Sequence, residues 1–160
     1  MAVVAGSVAH LVKRFVTSLV PGGPAVADEA WVAAVLSEAE LALWRRMSGA
    51  DRRHAVGVAR RVGRPEWLAA ALLHDVGKIE SGLGTWSRAF ATAARGAVGV
   101  ERLPARWRAY ARHPSMGAEL LELAGSAPLT VAWAREHHLP PSRWTVPPDA
   151  AAALKAADDD

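Results

Sequence analysis

Cysteine is absent from the 160 residues, which excludes a disulfide framework and any thiolate metal site. Long apolar runs are also missing: none approaches the roughly 18–20 residues of a membrane span, so no membrane partner is expected. The first residues, MAVVAGSVAHLVKRFV, carry their basic side chains after the apolar stretch. A secretory signal carries them before it, and a cytoplasmic location is the expectation. Lysine is scarce, occurring only at Lys13, Lys78 and Lys155. The net charge of +3 therefore rests on arginine, a side chain suited to bidentate phosphate recognition. The arginines are scattered among alanine and glutamate, with no dense basic stripe interleaved with aromatics, so nucleic acid is not an expected partner. A mild attraction for anionic substrates is compatible with this balance.

Several reaction motifs are missing too. There is no G-x-S-x-G elbow and no plausible Ser-His-Asp arrangement, which argues against a protein nucleophile of that kind. A P-loop is absent, so NTP hydrolysis of that type is not expected. No period-2 run of β-branched residues is long enough to argue for a sheet.

What is present reads as helix. An apolar fraction of 51% against 22% charged residues marks a globular chain, and its length suits one domain with a real core. The patterning predicts an all-α, single-domain helical bundle. An amphipathic helix over 4–20 stops at Pro21-Gly22-Gly23-Pro24. The next is predicted over 28–47, with Trp31, Val35, Leu36, Leu43 and Trp44 as its buried stripe. Ser48 and Asp51 have capping-box spacing for a helix over about 50–62, and Gly63 ends it. Pro65 opens another, apolar all round from Trp67 to Leu73 and so expected at the centre; Val76-Gly77 breaks it. Residues 79–86 read as a loop. Further helices are expected at about 87–98, 104–112, 115–124, 127–138 and 147–158, with prolines at their starts and Gly125 at one end. Residues 1–47 form an N-terminal helical pair expected to cover the bundle or to pair with a second copy; residues 48–160 form the domain itself. The sequence leaves the oligomeric state open.

Five of the six histidines fall in one polar series: His54, His74-Asp75, His113, His137-His138, ending at Asp158. Each lies in a different helix or at a helix end, and helical bundles build metal sites from inward side chains of facing helices. Imidazole and carboxylate suit iron, manganese, nickel or zinc, with magnesium at an oxygen-rich position. Seven candidate ligands exceed a closed tetrahedral zinc site and suit two divalent ions with open positions for water and substrate.

The order H…HD…H…HH…D resembles the HD-domain metal-dependent phosphohydrolase superfamily, and LLHDVGK resembles its HDxGK signature. The resemblance covers about residues 50–160. It is most specific from DRRHAVGVARRV to LAAALLHDVGK. The later ARHPSMGAELLELAG and REHH are similar to the dinuclear branch that includes the HD-GYP proteins. The resemblance implies an all-α bundle in which His54, His74, Asp75 and Asp158 hold one metal. Asp75 bridges to a second, held by His113, His137 and His138. Lys78 faces the substrate phosphate. A water shared by two metals about 3.5–4 Å apart has a lowered pKa and lies in line with phosphorus, and Lys78 would neutralise the transition state or help the leaving oxygen depart. The implied activity is hydrolysis of a phosphate mono- or diester of a small phosphorylated molecule, a nucleotide among the candidates. After His137-His138, however, the chain reads LPPSRWTVPP, without the acidic residue and the glycine-tyrosine-proline element of HD-GYP proteins. Cyclic di-GMP specificity is therefore not supported. A cyclic-dinucleotide phosphodiesterase and a regulatory or ligand-binding module without turnover remain the alternatives.

Three further expectations concern single residues. Asp158 is followed only by two more aspartates; a helix stopping at its own ligand would fray unless its end packs well, and the sequence leaves both outcomes open. Arg52, Arg53 and Arg112 are expected in surface salt bridges rather than on substrate. Trp86 and Trp144 are expected to pack rather than to stack on a base, and His10 has no assigned role.

Overall fold

Local signals decide where the helices begin. The computed structural model describes residues 22–81 and 112–159. Val26–Val35 forms α1 and Glu38–Arg46 forms α2. The single helix expected over 28–47 is thus two. Ser37 explains the break: its hydroxyl accepts from Glu40 N at 3.3 Å while Glu40 Oε2 accepts from Ser37 N at 3.0 Å. This reciprocal cap satisfies two donors that would otherwise be orphaned and starts a new helix inside an apolar pattern. Ser37→Ala is expected to lower stability by about 1 kcal/mol, read as a shift in urea midpoint at unchanged slope.

Helix α3 spans Gly49–Val62, with Ser48 accepting from Asp51 N at 3.1 Å and Gly63 closing the end at φ 61°. Its start and stop therefore lie within a residue of the sequence expectation. A 3-10 turn at Pro65–Trp67 leads into the short α4, Leu68–Leu73, and a second 3-10 segment runs Val76–Ser81. Helix α5 is His113–Leu123, α6 Pro128–Glu136 and α7 Pro148–Asp159, with a 3-10 turn at Pro141–Arg143 between the last two. Prolines stand in the first turn of α5, α6 and α7, where a missing N–H costs nothing. The expected helices over 4–20, 87–98 and 104–111, the loop from 82, His10 and Trp86 lie outside the described residues.

The fold is all-α, and among the described residues no strand occurs. Helix α4 is central, as its all-round apolar character demands: Ala71, Leu72 and Leu73 are 0% exposed. At about 1.5–3 kcal/mol per fully buried leucine, this one turn and a half anchors the core. It packs against α3 and α6, and α1 and α2 also lie on it. Val32, Leu43 and Trp44 from α1 and α2 belong to the same buried cluster as Val58, Leu121, Trp133 and Leu154. Helix α5 packs along α6 and against the 76–81 segment, and α7 packs on α3. Among the described residues no helix is long and apolar enough to cross a membrane.

Candidate metal centre

Helix α4 carries its apolar turn as far as Leu73, and His74-Asp75 follows as a turn at its buried end. Both residues are 2% exposed. The next element needs a glycine for a reason other than breaking a helix. Gly77 has no positive φ. A Cβ there would overlap the His113 carbonyl oxygen and Gly117 N and stand 2.9 Å from Gly117 Cα. The backbone of the 76–81 segment thus lies directly on the first turn of α5, which sets the His113 ring against Asp75.

The polar series converges in two groups. His54, His74 and Asp158 form one; Asp75, His113, His137 and His138 form the other. Within each, the candidate ligand atoms lie within 4.8 Å of one another, so either could hold a metal ion. His54 Nε2 lies 2.9 Å from Asp158 Oδ1, and His74 Nε2 lies 3.6 Å from the same oxygen. Asp75 turns its two oxygens to different sides. Oδ2 is 3.4 Å from His74 Nε2, whereas Oδ1 is 3.4 Å from His113 Nε2 and 3.7 Å from His137 Nε2. The rings run in an unbroken succession: His54–His74 centroids at 5.5 Å, His74–His137 at 5.2 Å, His113–His137 at 5.9 Å and His137–His138 at 4.0 Å. His138 Nε2 approaches His113 Nε2 to 3.2 Å. His138 is the solvent-exposed member, so the second group has an open side.

The donor chemistry fits a divalent cation. His74 Nδ1 donates to Ala71 O at 2.9 Å, and His137 Nδ1 donates to Ala134 O at 3.0 Å and Trp133 O at 3.1 Å. A carbonyl can only accept, so these bonds fix the proton on Nδ1 and turn the Nε2 lone pair inward, the arrangement that orients metal-binding imidazoles. Among the described residues neither of these buried Nε2 atoms has a hydrogen-bond partner. Such atoms are costly in a core unless something is meant to meet them.

Ionisation follows the same logic. Burial favours a neutral Asp75 carboxyl, but Lys78 and His74, with the His113 and His137 rings facing Oδ1, outweigh it and hold the group well below the usual carboxylate range. Burial, opposed by the neighbouring Asp75 carboxylate, lowers His137. His138, whose ring lies against His137 and His113 although the residue reaches solvent, is pushed down to about 3 by desolvation and by the neighbouring histidines. For His74, burial pulls down, but the charges of Asp75 and Asp158 prevail and raise it. Those two carboxylates are the ones a divalent cation would neutralise. An ionised carboxylate and neutral rings are the ligand forms a metal requires.

Lys78 is buried at 7% exposure, and its ammonium pairs with Asp75 Oδ2. Asp158 does not fray: it is 6% exposed, and Arg61 Nε donates to Ala157 O at 2.8 Å, capping the last carbonyls of α7 with a cation where the helix dipole favours one. Arg61 was not singled out in the sequence. It lies two turns after His54 on α3 and so on nearly the same face, a spacing that could have revealed it. Arg52 pairs with Glu29 at 2.7 Å and Arg53 with the Gly22 carbonyl. Trp144 packs: its ring meets Trp133 edge-on at 5.6 Å, and Nε1 donates to Glu136 O and Leu139 O.

A protein-family model described as HD domain matches residues 52–159, a stretch that contains every one of these donors. No curated protein and no solved structure matches the chain.

Proposed function

The chain belongs to the HD domain family, and from that premise we propose that it is a metal-dependent phosphohydrolase cleaving a phosphate mono- or diester. The observation that carries this reading is Asp75, whose two oxygens face the two donor groups separately. In this reading His54, His74, Asp75 and Asp158 would hold one divalent ion, and Asp75, His113, His137 and His138 a second. Iron, manganese, nickel, zinc or magnesium fits a donor set of imidazoles and carboxylates. When bound, such ions lower the pKa of water and neutralise charge on phosphoryl oxygens. Asp75 orients both donor groups and stays ionised among them. Lys78 contributes a buried positive charge beside Asp75 and would stabilise negative charge developing on the phosphoryl group. The exposed edge at His138 is the side from which a small phosphorylated molecule, a nucleotide among the candidates, would enter.

The test is a panel of mononucleotides, cyclic nucleotides, dinucleotides and generic phosphate esters assayed with manganese, iron, nickel and magnesium. Turnover of at least one ester, abolished by chelation and restored by metal, is the expected result. Inactivity across the panel with metal fully loaded would sink the hydrolase reading in favour of a ligand-binding module.

A further inference from the structure

Adjacent residues of a regular helix point about 100° apart, so two consecutive histidines meet most readily where a helix ends. His137 and His138 converge there, with ring centroids 4.0 Å apart: His137 is the C-cap of α6, its N–H still bonded to Trp133 O, and the helix ends with this pair. A helix end of this kind leaves carbonyls to be satisfied and tends to fray. Here it is tied down by residues outside the donor set.

Glu136, the residue just before the pair, is 6% exposed. Its carboxylate is committed to a single residue: Oε2 accepts from Thr145 N and Oε1 from Thr145 Oγ1, both at 2.6 Å. Its carbonyl accepts from Leu139 N at 2.7 Å and from Trp144 Nε1 at 3.0 Å. Trp144 Nε1 also reaches Leu139 O at 3.0 Å. Both ends of the segment from Leu139 to Thr145 are therefore drawn back onto the turn that bears the two histidines.

We propose that Glu136 is a positioning residue: by clamping Thr145 it holds the helix-end turn at which His137 and His138 converge, and so sets the affinity of the cation site they share with Asp75 and His113. The inference rests on the metal reading above. The clamp requires an acceptor for Thr145 N–H and a hydrogen-bonding group for its hydroxyl rather than a charge. Glutamine keeps it, with its Oε1 accepting from Thr145 N and its amide donating to a rotated Thr145 hydroxyl. Alanine abolishes it and leaves Thr145 N–H without that acceptor. Thr145→Val removes only the hydroxyl bond, at an exposed position where the fold tolerates change.

Manganese titration by calorimetry of the wild type, Glu136→Ala, Glu136→Gln and Thr145→Val tests this, with the melting temperature of each metal-free protein as control. The wild type should take up two equivalents. Glu136→Ala should keep one at wild-type affinity and weaken the other by about 10- to 100-fold, the usual effect of removing a group that orients a ligand. Glu136→Gln should restore the second equivalent, and Thr145→Val should fall between. Unchanged affinity for the second equivalent in Glu136→Ala overturns the proposal, as does a parallel loss of both equivalents with the melting temperature, which marks a merely structural role. Should Glu136→Ala not fold, Thr145→Val decides: wild-type affinity for both ions overturns the clamp. A wild type that binds one equivalent defeats the two-ion reading instead. The variants then report on that ion, its weakening in Glu136→Ala supporting the clamp and its indifference overturning it. No uptake by the wild type overturns both.

Discussion

Asp75→Ala should deplete metal from both donor groups and lower the stability of the metal-free protein by about 3–5 kcal/mol. The two effects have separate origins. Metal content, measured on purified protein, should fall because the carboxylate removed faces His74 with one oxygen and His113 and His137 with the other. His54→Ala, by contrast, should cost only one equivalent, since His54 belongs to the group with His74 and Asp158 alone. The stability loss arises because Asp75, 2% exposed, is paired with the buried Lys78 ammonium, and removing one member of a buried ion pair is penalised heavily. For a chain of this length about 3 kcal/mol corresponds to a drop in melting temperature of roughly 10 °C. Asp75→Ala with Lys78→Met should recover most of that temperature without recovering the metal. An Asp75→Ala protein with wild-type metal content would defeat the bridging role. Unchanged melting would defeat the pairing argument.

Gly77→Ala should be nearly as damaging, although it adds one methyl group and changes no charge. The new Cβ would meet backbone on three sides, at His113 O, Gly117 N and Gly117 Cα. No rotamer change relieves a clash with backbone, so the 76–81 segment and the first turn of α5 must separate. Overpacking of this kind costs about 3 kcal/mol, at the upper end of its usual range. It should also weaken metal binding, because His113 opens α5 and Asp75 lies two residues before Gly77. Gly117→Ala provides the contrast. Its Cβ would stand 3.0 Å from Gly77 N and 3.4 Å from Gly77 Cα and Val76 Cγ1, a tightness that small shifts relieve, while alanine gains up to about 1 kcal/mol of helix propensity. Urea unfolding of the two variants should show a large loss for Gly77→Ala and a change near zero for Gly117→Ala. Equal midpoints would mean that the two backbones are not held in contact.

The Gly77 case shows where reading the chain alone stops. A glycine after an apolar run is read as a helix breaker, yet α4 has already ended at Leu73, and Gly77 is there to admit α5. Ser37 was legible in principle, since its Glu40 partner sits at capping-box spacing. The uninterrupted apolar stripe from Trp31 to Trp44 masked it, because a stripe of the same period continues across two helices. The sequence leaves open whether the helix end at Asp158 frays or packs. The Arg61 guanidinium that holds Ala157 comes from a helix 96 residues away in sequence, a separation over which no local pattern operates.

The sequence by itself determined the helical class, most helix starts and stops, the inventory of imidazole and carboxylate donors, and the absence of thiolates. These follow from periodicity, capping chemistry and composition, which act within a turn or two. The division of the donors into two groups follows from the family resemblance and not from spacing, and only the tertiary structure decided the approaches that bring each group together. The closing of α5 onto Gly77 puts His113 beside one oxygen of Asp75 while His74 meets the other, and the docking of α7 on α3 brings Asp158 within 2.9 Å of His54. Such partitioning depends on backbone approach distances between elements far apart in the chain, and those are set by how side chains fill the space between helices.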